Sequence, residues 1–127
     1  MDILLDTHTL IWSLSKPTLI PENSRSLIKS IDNKCYVSIA SLWEVAIKFS
    51  LGRLIIESDL DLFFNSTFES GLQLLPISEN HVLSVATLPF HRKDPFDRII
   101  IAQAKTDNLT IISKDPQFKN YDITVIW

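Results

Sequence analysis

The chain has 127 residues, of which 46% are hydrophobic and 21% are charged, and its formal net charge is −3. This composition excludes an intrinsically disordered chain, and the length suits one domain over residues 1–127 with a sizeable core. The slight negative charge excludes a protein that binds nucleic acid through overall positive charge. No window approaches the roughly 18–20 apolar residues of a membrane span.

Two scarce residue types narrow the class of protein further. Cys35 is the only cysteine, so neither an intrachain disulfide framework nor a cysteine zinc site is available. A buried thiol in a reducing cytoplasm is expected. Only two glycines occur, Gly52 and Gly71, which excludes the glycine-rich phosphate loops of nucleotide-binding folds. Because Asp2 and Asp6 interrupt the first apolar stretch, no signal peptide is expected.

The hydrophobic pattern predicts short buried strands that alternate with helices. In chain order, the predicted elements are strand 3–5, helix 7–14, helix 22–31, strand 35–38, helix 41–51, helix 60–69, strand 72–75, helix 79–88, helix 97–106, strand 109–113 and strand 123–127. Gly52 lies where a helix-terminating glycine is expected. The alternation is typical of a three-layer α/β/α sandwich, in which helices cover both faces of a mostly parallel sheet.

Four carboxylates lie where predicted strands end or the following helices begin: Asp6, Glu44, Asp97 and Asp115. Ligands bind just beyond the edge of a parallel sheet where the carboxyl ends of its strands meet. If the first, second and fourth strands are neighbours, these acids converge at that edge. Four acids in one cleft repel one another unless a cation neutralises them. The cluster therefore predicts Mg²⁺, with Mn²⁺ as a second possibility, and chemistry on phosphate esters.

Each acid also has an ordinary structural explanation. Asp6 could cap the helix that follows it, and Ser41 with Glu44 forms the sequence pattern of a capping box. Asp94 and Asp115 each precede a proline, as an N-cap or a turn residue would. The helix around Glu44 is apolar over much of its girth, so this carboxylate is expected to be partly buried and to need a partner. Taken together at matching positions, the acids favour a shared site.

Asp97 lies at the mouth of a helix that is apolar nearly all round, so that helix is expected to be buried. The positive end of the helix dipole is expected to keep Asp97 ionised. Ser113 ends the fourth strand and could give its hydroxyl to the cleft or to a neighbouring carboxylate. Lys48 and Arg98 are nearest the acids and could contact phosphates. The other basic residues that could line the cleft are Arg53, Arg92, Lys93 and Lys114.

The histidines and the large apolar residues are expected to be mainly structural. His8, His81 and His91 are not spaced as a zinc triad, and His8 is predicted to point away from Asp6. His91 is the histidine that could instead belong to the site, because its loop leads to Asp97. The side chains expected in the core are Leu27, Ile28 and Ile31 of helix 22–31, with Trp12, Trp43, Trp127, Phe63, Phe64 and Phe68. The three phenylalanines could also form an exposed patch for a partner.

Four segments carry a resemblance to a known family: LLDTH at 4–8, SIASLWEVAIK at 38–48, DPFDRIIIAQA at 94–104 and LTIISKD at 109–115. With these segments the chain resembles the PIN-domain ribonucleases, and in particular the VapC-like toxins of bacterial type II toxin–antitoxin pairs. The segments come in the family's order and span nearly the whole chain. The second and third together are specific to one branch of the family.

The resemblance implies a PIN-like α/β/α sandwich with Mg²⁺-dependent endoribonuclease activity. It also implies inhibition by a cognate antitoxin and a tendency to form a homodimer. Asp6, Glu44, Asp97 and Asp115 match the family's acidic quartet, in which Asp6 and Asp97 look like the most direct metal ligands. Asp94 is an additional acid found in this branch.

Two other functions compete with the ribonuclease. A Mg²⁺-dependent phosphatase would turn over small phosphoesters but leave RNA intact. A binding module would hold RNA or a protein without cutting it, and Mg²⁺ would not change its stability. The complete acidic quartet counts against the binding module.

Overall fold

Five strands form the centre of the molecule, whose computed structural model describes residues 1–127. The strands are β1 Asp2–Leu5, β2 Lys34–Ser38, β3 Gln73–Leu75, β4 Thr110–Ile112 and β5 Val125–Ile126. They lie in the order β3-β2-β1-β4-β5, and every neighbouring pair is parallel. Leu5 is in register with Val37 on one side and with Ile112 on the other. The carboxyl ends of the three central strands therefore lie side by side, as predicted.

Six α-helices connect or follow the strands. They are α1 Thr7–Ser15, α2 Glu22–Lys29, α3 Ile39–Ser50, α4 Leu60–Glu69, α5 Glu79–Val85 and α6 Pro95–Asp107, with short 3₁₀ helices at Pro17–Leu19 and Pro116–Asn120. All predicted strands and helices are present. Gly52 follows α3 with a φ of +70°, which confirms the predicted helix-ending glycine. None of these helices has both the length and the apolar surface that crossing a membrane requires.

The core has two parts, one on each face of the sheet. Neighbouring residues of a strand point to opposite faces. Leu4 accordingly belongs to one cluster with Ile100 and Ile101 of α6, whereas Ile3 belongs to a second cluster with Leu10 of α1. Helix α5 joins the first cluster, and α2, α3 and α4 join the second. This arrangement confirms the three-layer α/β/α sandwich.

Two expectations about the core are wrong. Helix α2 ends at Lys29, and Ser30 leaves the helical conformation with a ψ of 128°, so Ile31 is exposed instead of lying beside Ile28. Trp43 is 62% exposed, and its ring lies edge-on to that of Phe96. Its position on α3 lies on the side away from the sheet, because neighbouring helical residues are about 100° apart around the axis.

The remaining aromatic residues divide between core and surface. Trp12 and Trp127 are half-buried, with ring centroids 5.8 Å apart. Phe63 is buried, Phe64 is half-buried and Phe68 is exposed. The expected exposed patch on α4 is therefore limited to the end of that helix.

Candidate active site and metal centre

A cleft of about 470 Å³ lies at the carboxyl edge of the sheet. Asp6 follows β1, Asp115 lies three residues beyond β4, and Glu44 and Asp97 reach the cleft from α3 and α6. The full lining is Asp6, Thr7, His8, Trp12, Glu44, Lys48, Arg92, Asp94, Asp97, Lys114, Asp115 and Pro116. The predicted convergence of the four acids is what the structure contains.

Asp6 is held by hydrogen bonds from uncharged donors. It is the N-cap of α1, and its Oδ1 accepts a hydrogen bond from the Thr9 N–H at 2.8 Å. Its Oδ2 accepts a hydrogen bond from the Ser113 hydroxyl at 2.5 Å. The Thr9 hydroxyl in turn donates to the carbonyl of Ile112 at 3.0 Å. Asp6 thus both caps α1, as predicted, and lines the cleft.

Glu44 lies in the wall of the cleft and not at the start of a helix. Helix α3 begins at Ile39 with Ser38 as its N-cap, so the predicted capping box of Ser41 and Glu44 does not form. Glu44 is only 7% exposed. Its Oε2 is 2.9 Å from the Lys48 ammonium, whereas its Oε1 is buried without any hydrogen-bond partner. An unpartnered buried carboxylate oxygen is costly unless something else binds it.

Asp97 lies in the first turn of α6, which Asp94 caps through hydrogen bonds from two backbone N–H groups, those of Phe96 and Asp97. Burial raises the pKa of Asp97 from 3.8 to about 6. The hydrogen bond from Arg92 works against this shift, and the charges of Asp94 and Glu44 add to it. The positive end of the helix dipole favours the ionised form and so acts against this shift.

Arg92 links two of the acids. Its Nη2 is 2.8 Å from Asp97 Oδ2 and 3.2 Å from Asp115 Oδ2, and its Nε donates to the same Asp97 oxygen at 3.2 Å. The hydrogen bond to Asp97 raises the pKa of Arg92 further. The other oxygen of Asp115 caps the short 3₁₀ helix by accepting the Gln117 N–H at 2.9 Å. The sequence suggested Arg92 only as one of several basic residues near the cleft.

Arg98 does not line the cleft, contrary to the prediction that it contacts phosphates. It is 6% exposed, and its guanidinium donates to four backbone carbonyls, one in the last residue of α5 and three in the stretch between α5 and α6. These carbonyls belong to Val85, Leu88, Pro89 and Arg92, at 2.9–3.3 Å. The Phe90 ring covers the guanidinium at 4.1 Å. Arg98 is one residue beyond Asp97, so it leaves the helix on a different side and faces α5.

Several other predicted contacts can be placed. His8 lines the cleft with Asp6, contrary to the expectation that it points away, because the chain turns from strand to helix between them. His81 is buried and 2.9 Å from Asp107, which confirms a core role. His91 packs its ring edge-on to Tyr121 and does not line the cleft. Cys35 is buried, and burial raises the pKa of its thiol.

The lining fits a divalent cation in donor type and in charge. Carboxylate oxygens are the ligands that Mg²⁺ and Mn²⁺ prefer. One such oxygen, Glu44 Oε1, is buried and has no hydrogen-bond partner. The lining contains five carboxylates but only three lysine or arginine side chains. As the side chains stand, no three carboxylate, imidazole or thiol groups are close enough to hold one ion. Asp97 and Asp115 are paired with Arg92 instead.

Comparison with solved structures identifies the fold. VapBC2 from Rickettsia felis, solved with a DNA fragment from its promoter, matches with a TM-score of 0.76 at 16% identity, over 99% of this chain and 98% of that one. DNA-bound VapBC from Salmonella typhimurium matches with a TM-score of 0.71 at 18% identity, over 99% and 97%. VapBC-5 from Mycobacterium tuberculosis, of the VapBC family of toxin–antitoxin systems, matches with a TM-score of 0.61 at 23% identity, over 98% and 97%. At these identities the similarity concerns the fold.

Comparison at the level of sequence gives the family. No curated protein matches the chain. The model of the PIN domain, in contrast, matches residues 3–123, which include strands β1 to β4, apart from Asp2, and all five acids of the cleft. By this match over nearly its whole length, the chain belongs to the PIN domain family.

Proposed function

We propose that the chain is a Mg²⁺-dependent endoribonuclease and the toxin of a type II toxin–antitoxin pair. The observation that carries this proposal is that Asp6, Glu44, Asp97 and Asp115 come from separate elements and line one cleft, in which Glu44 Oε1 has no partner. Mn²⁺ is an alternative ion, because it prefers the same oxygen ligands. Residues 1–127 would act together as one catalytic domain.

In this proposal the four acids have distinct roles. Asp6 and Asp97 hold the divalent cation, and Glu44 and Asp115 complete the ligand set or orient the attacking water. A bound Mg²⁺ supplies positive charge to the phosphate and lowers the pKa of a bound water. Ser113 contributes by keeping one oxygen of Asp6 fixed, which preserves the direction of that carboxylate before the substrate arrives.

The rim of the cleft supports RNA as the substrate. Lys48 and Lys114 lie beside the acids, and such cations bind phosphodiester oxygens. His8 and Trp12 also line the cleft, with ring centroids 5.8 Å apart, and unpaired bases stack on rings of this kind. This combination suits an unpaired stretch of RNA whose phosphate lies near the acids. It offers less to a small phosphoester, which has no chain of bases to stack.

An antitoxin, a homodimer and a cytoplasmic location complete the proposal. Two of the similar structures are VapBC assemblies solved with DNA, which supports a protein partner for this chain as well. Trp43, Leu83 and Phe90 are large apolar side chains exposed on the surface, and they offer area for the antitoxin or for a second copy. The buried free thiol of Cys35 suits a reducing cytoplasm.

The test is cleavage of structured RNAs, tRNAs included, by the full chain purified without any antitoxin. We expect discrete fragments with Mg²⁺ and none with EDTA. Asp6→Asn is expected to lower the cleavage rate by about a hundredfold or more, because it removes a charged ligand while keeping an oxygen that can cap α1. Asp122→Asn is the matched control, since Asp122 is an exposed aspartate outside the cleft.

The outcomes separate the candidate functions. Cleavage that needs Mg²⁺ and Asp6 but not Asp122 supports the ribonuclease. Release of phosphate from nucleotides without RNA cleavage supports the phosphatase instead. RNA binding that is unaffected by Mg²⁺, with no cleavage of any RNA or nucleotide, supports the binding module.

A further inference from the structure

The positively charged side chain of Arg92 lies between Asp97 and Asp115 in the cleft. Its guanidinium makes three close contacts, two with Asp97 Oδ2 and one with Asp115 Oδ2, at 2.8–3.2 Å. Charge-assisted contacts of this kind are among the stronger interactions of side chains. The same two oxygens belong to the carboxylates assigned above to the metal.

The backbone of Arg92 is fixed on both sides, although its side chain is 35% exposed. Its N–H donates to the Tyr121 hydroxyl at 2.8 Å, and its carbonyl accepts a hydrogen bond from Arg98 at 3.3 Å. Arg98 also binds three further carbonyls of the same stretch and so fixes its course. The guanidinium can therefore swing out toward solvent while the segment that carries it stays in place.

Arg92 and a divalent cation would compete for the same carboxylate oxygens, Asp97 Oδ2 and Asp115 Oδ2. Asp97 Oδ2 already accepts two N–H groups from the guanidinium, which leaves little room on that oxygen for a metal. The Arg92 guanidinium and a metal ion bound to the same carboxylates would also repel each other strongly. Asp97 and Asp115 are paired with Arg92, and no three acidic groups of the cleft meet at one point.

We propose that Arg92 is a built-in competitor of the divalent cation, a positioning residue that holds Asp97 and Asp115 until the metal displaces it. It sets the metal concentration at which the site fills. This inference rests on the proposed function, because it takes the acids as metal ligands.

The test measures binding of Mn²⁺ alone to the full chain, by electron paramagnetic resonance of free Mn²⁺ and by the shift in melting temperature. We expect Arg92→Ala to bind Mn²⁺ about tenfold more tightly than the unmodified chain, the factor that corresponds to loss of one charge-assisted hydrogen bond. The rise in melting temperature on adding Mn²⁺ should be larger in Arg92→Ala as well. Arg92→Gln, which keeps most of the side chain, should shift affinity in the same direction and serves if the alanine variant folds poorly.

Lys114→Ala is the matched control. Lys114 lines the same cleft but makes no ion pair with its acids, so this variant removes an equal charge without removing a competitor. Its Mn²⁺ affinity should change much less than that of Arg92→Ala. An equal gain in both variants would mean that net charge alone sets the affinity, and it would overturn the inference.

An affinity for Mn²⁺ that is unchanged or weaker in both Arg92 variants would also overturn the inference, and so would the absence of Mn²⁺ binding in every variant. RNA cleavage by the unmodified chain at high Mg²⁺ is measured separately. If cleavage occurs while the Arg92 variants bind Mn²⁺ normally, the nuclease stands and only the role of Arg92 is lost. If the Arg92 variants gain affinity but no RNA is cleaved, the competitor stands and the ribonuclease is lost.

Discussion

The two sides of the acidic cleft hold their carboxylates in different ways. One side consists of Asp6, which follows β1 and accepts hydrogen bonds from two uncharged donors, the Thr9 N–H and the Ser113 hydroxyl. The other side consists of Asp97 in α6 and Asp115 beyond β4, which share the charged guanidinium of Arg92. Both arrangements satisfy buried or half-buried oxygens, but only the second cancels negative charge.

This difference separates a permanent ligand from an exchangeable one. Uncharged donors fix the direction of Asp6 while its full negative charge stays available to a cation. A guanidinium has to leave before Asp97 or Asp115 can bind a cation with the same oxygen. One side of the site is therefore ready for the metal, and the other becomes ready only through exchange.

The largest effect on stability is expected at Arg98, which holds the stretch that carries Arg92. Arg98→Met should lower the free energy of unfolding by about 3–5 kcal/mol, because four carbonyls lose the charged donor that binds them. Urea unfolding measures the loss. Lys93→Met, at an exposed neighbouring position, is the control and should change stability little. Equal effects of the two substitutions would show that Arg98 does not anchor the segment.

The next largest effect on stability is expected at Ser113, which holds Asp6. Ser113→Ala should lower the free energy of unfolding by about 1.5–3 kcal/mol, the usual range for a hydrogen bond to a charged group. Ser50→Ala is the control, since the exposed Ser50 hydroxyl donates only to the carbonyl of Ile47 in its own helix. If urea unfolding gives the same small change for both, Asp6 is not held in the way that distinguishes the two sides.

A smaller effect, with a definite pH dependence, is expected for Asp97. Its pKa is raised from 3.8 to about 6 by burial, so the folded state binds a proton more tightly than the unfolded state. Asp97 therefore favours folding most below about pH 4, and this contribution is lost as the pH rises to about 6. In EDTA at pH 7, Asp97→Asn should accordingly be more stable than the unmodified chain by about 1–3 kcal/mol.

Melting temperatures in EDTA between pH 3.5 and 8 test this sign. The advantage of Asp97→Asn should grow between about pH 4 and 6 and then level off. Asp122→Asn, an exposed aspartate, should follow the unmodified chain throughout. If Asp97→Asn is less stable than the unmodified chain at pH 7, the Arg92 contact stabilises ionised Asp97 by more than burial destabilises it. That result would contradict the prediction.

Much of the fold and part of the site could be predicted from local patterns. Each predicted strand and helix is present, because buried apolar runs and amphipathic periods report the surroundings of a segment directly. Asp6 and Asp94 were predicted as caps and are caps, since capping depends on a few neighbouring residues. The capping box at Ser41 and Glu44 was wrong because the helix begins two residues earlier, at Ile39.

The roles of the two arginines could not be predicted in the same way. Arg98 adjoins Asp97 in sequence and was expected to face phosphate, yet it points to α5 and binds carbonyls. Arg92, five residues before Asp97, reaches the acids instead. Which way a long side chain leaves its segment depends on the segment packed against it, and no local pattern records that neighbour.

By itself the sequence determined an alternation of strands and helices, the parallel sheet that this alternation favours, and four acids placed where its strands end. Only the tertiary structure decided that Ser113 fixes Asp6, that Glu44 keeps one oxygen without a partner and that Arg92 lies between Asp97 and Asp115. The physical reason is distance along the chain. Periodicity and capping act over a few residues, whereas Ser113 and Asp6 are 107 residues apart and meet only once β1 and β4 have paired.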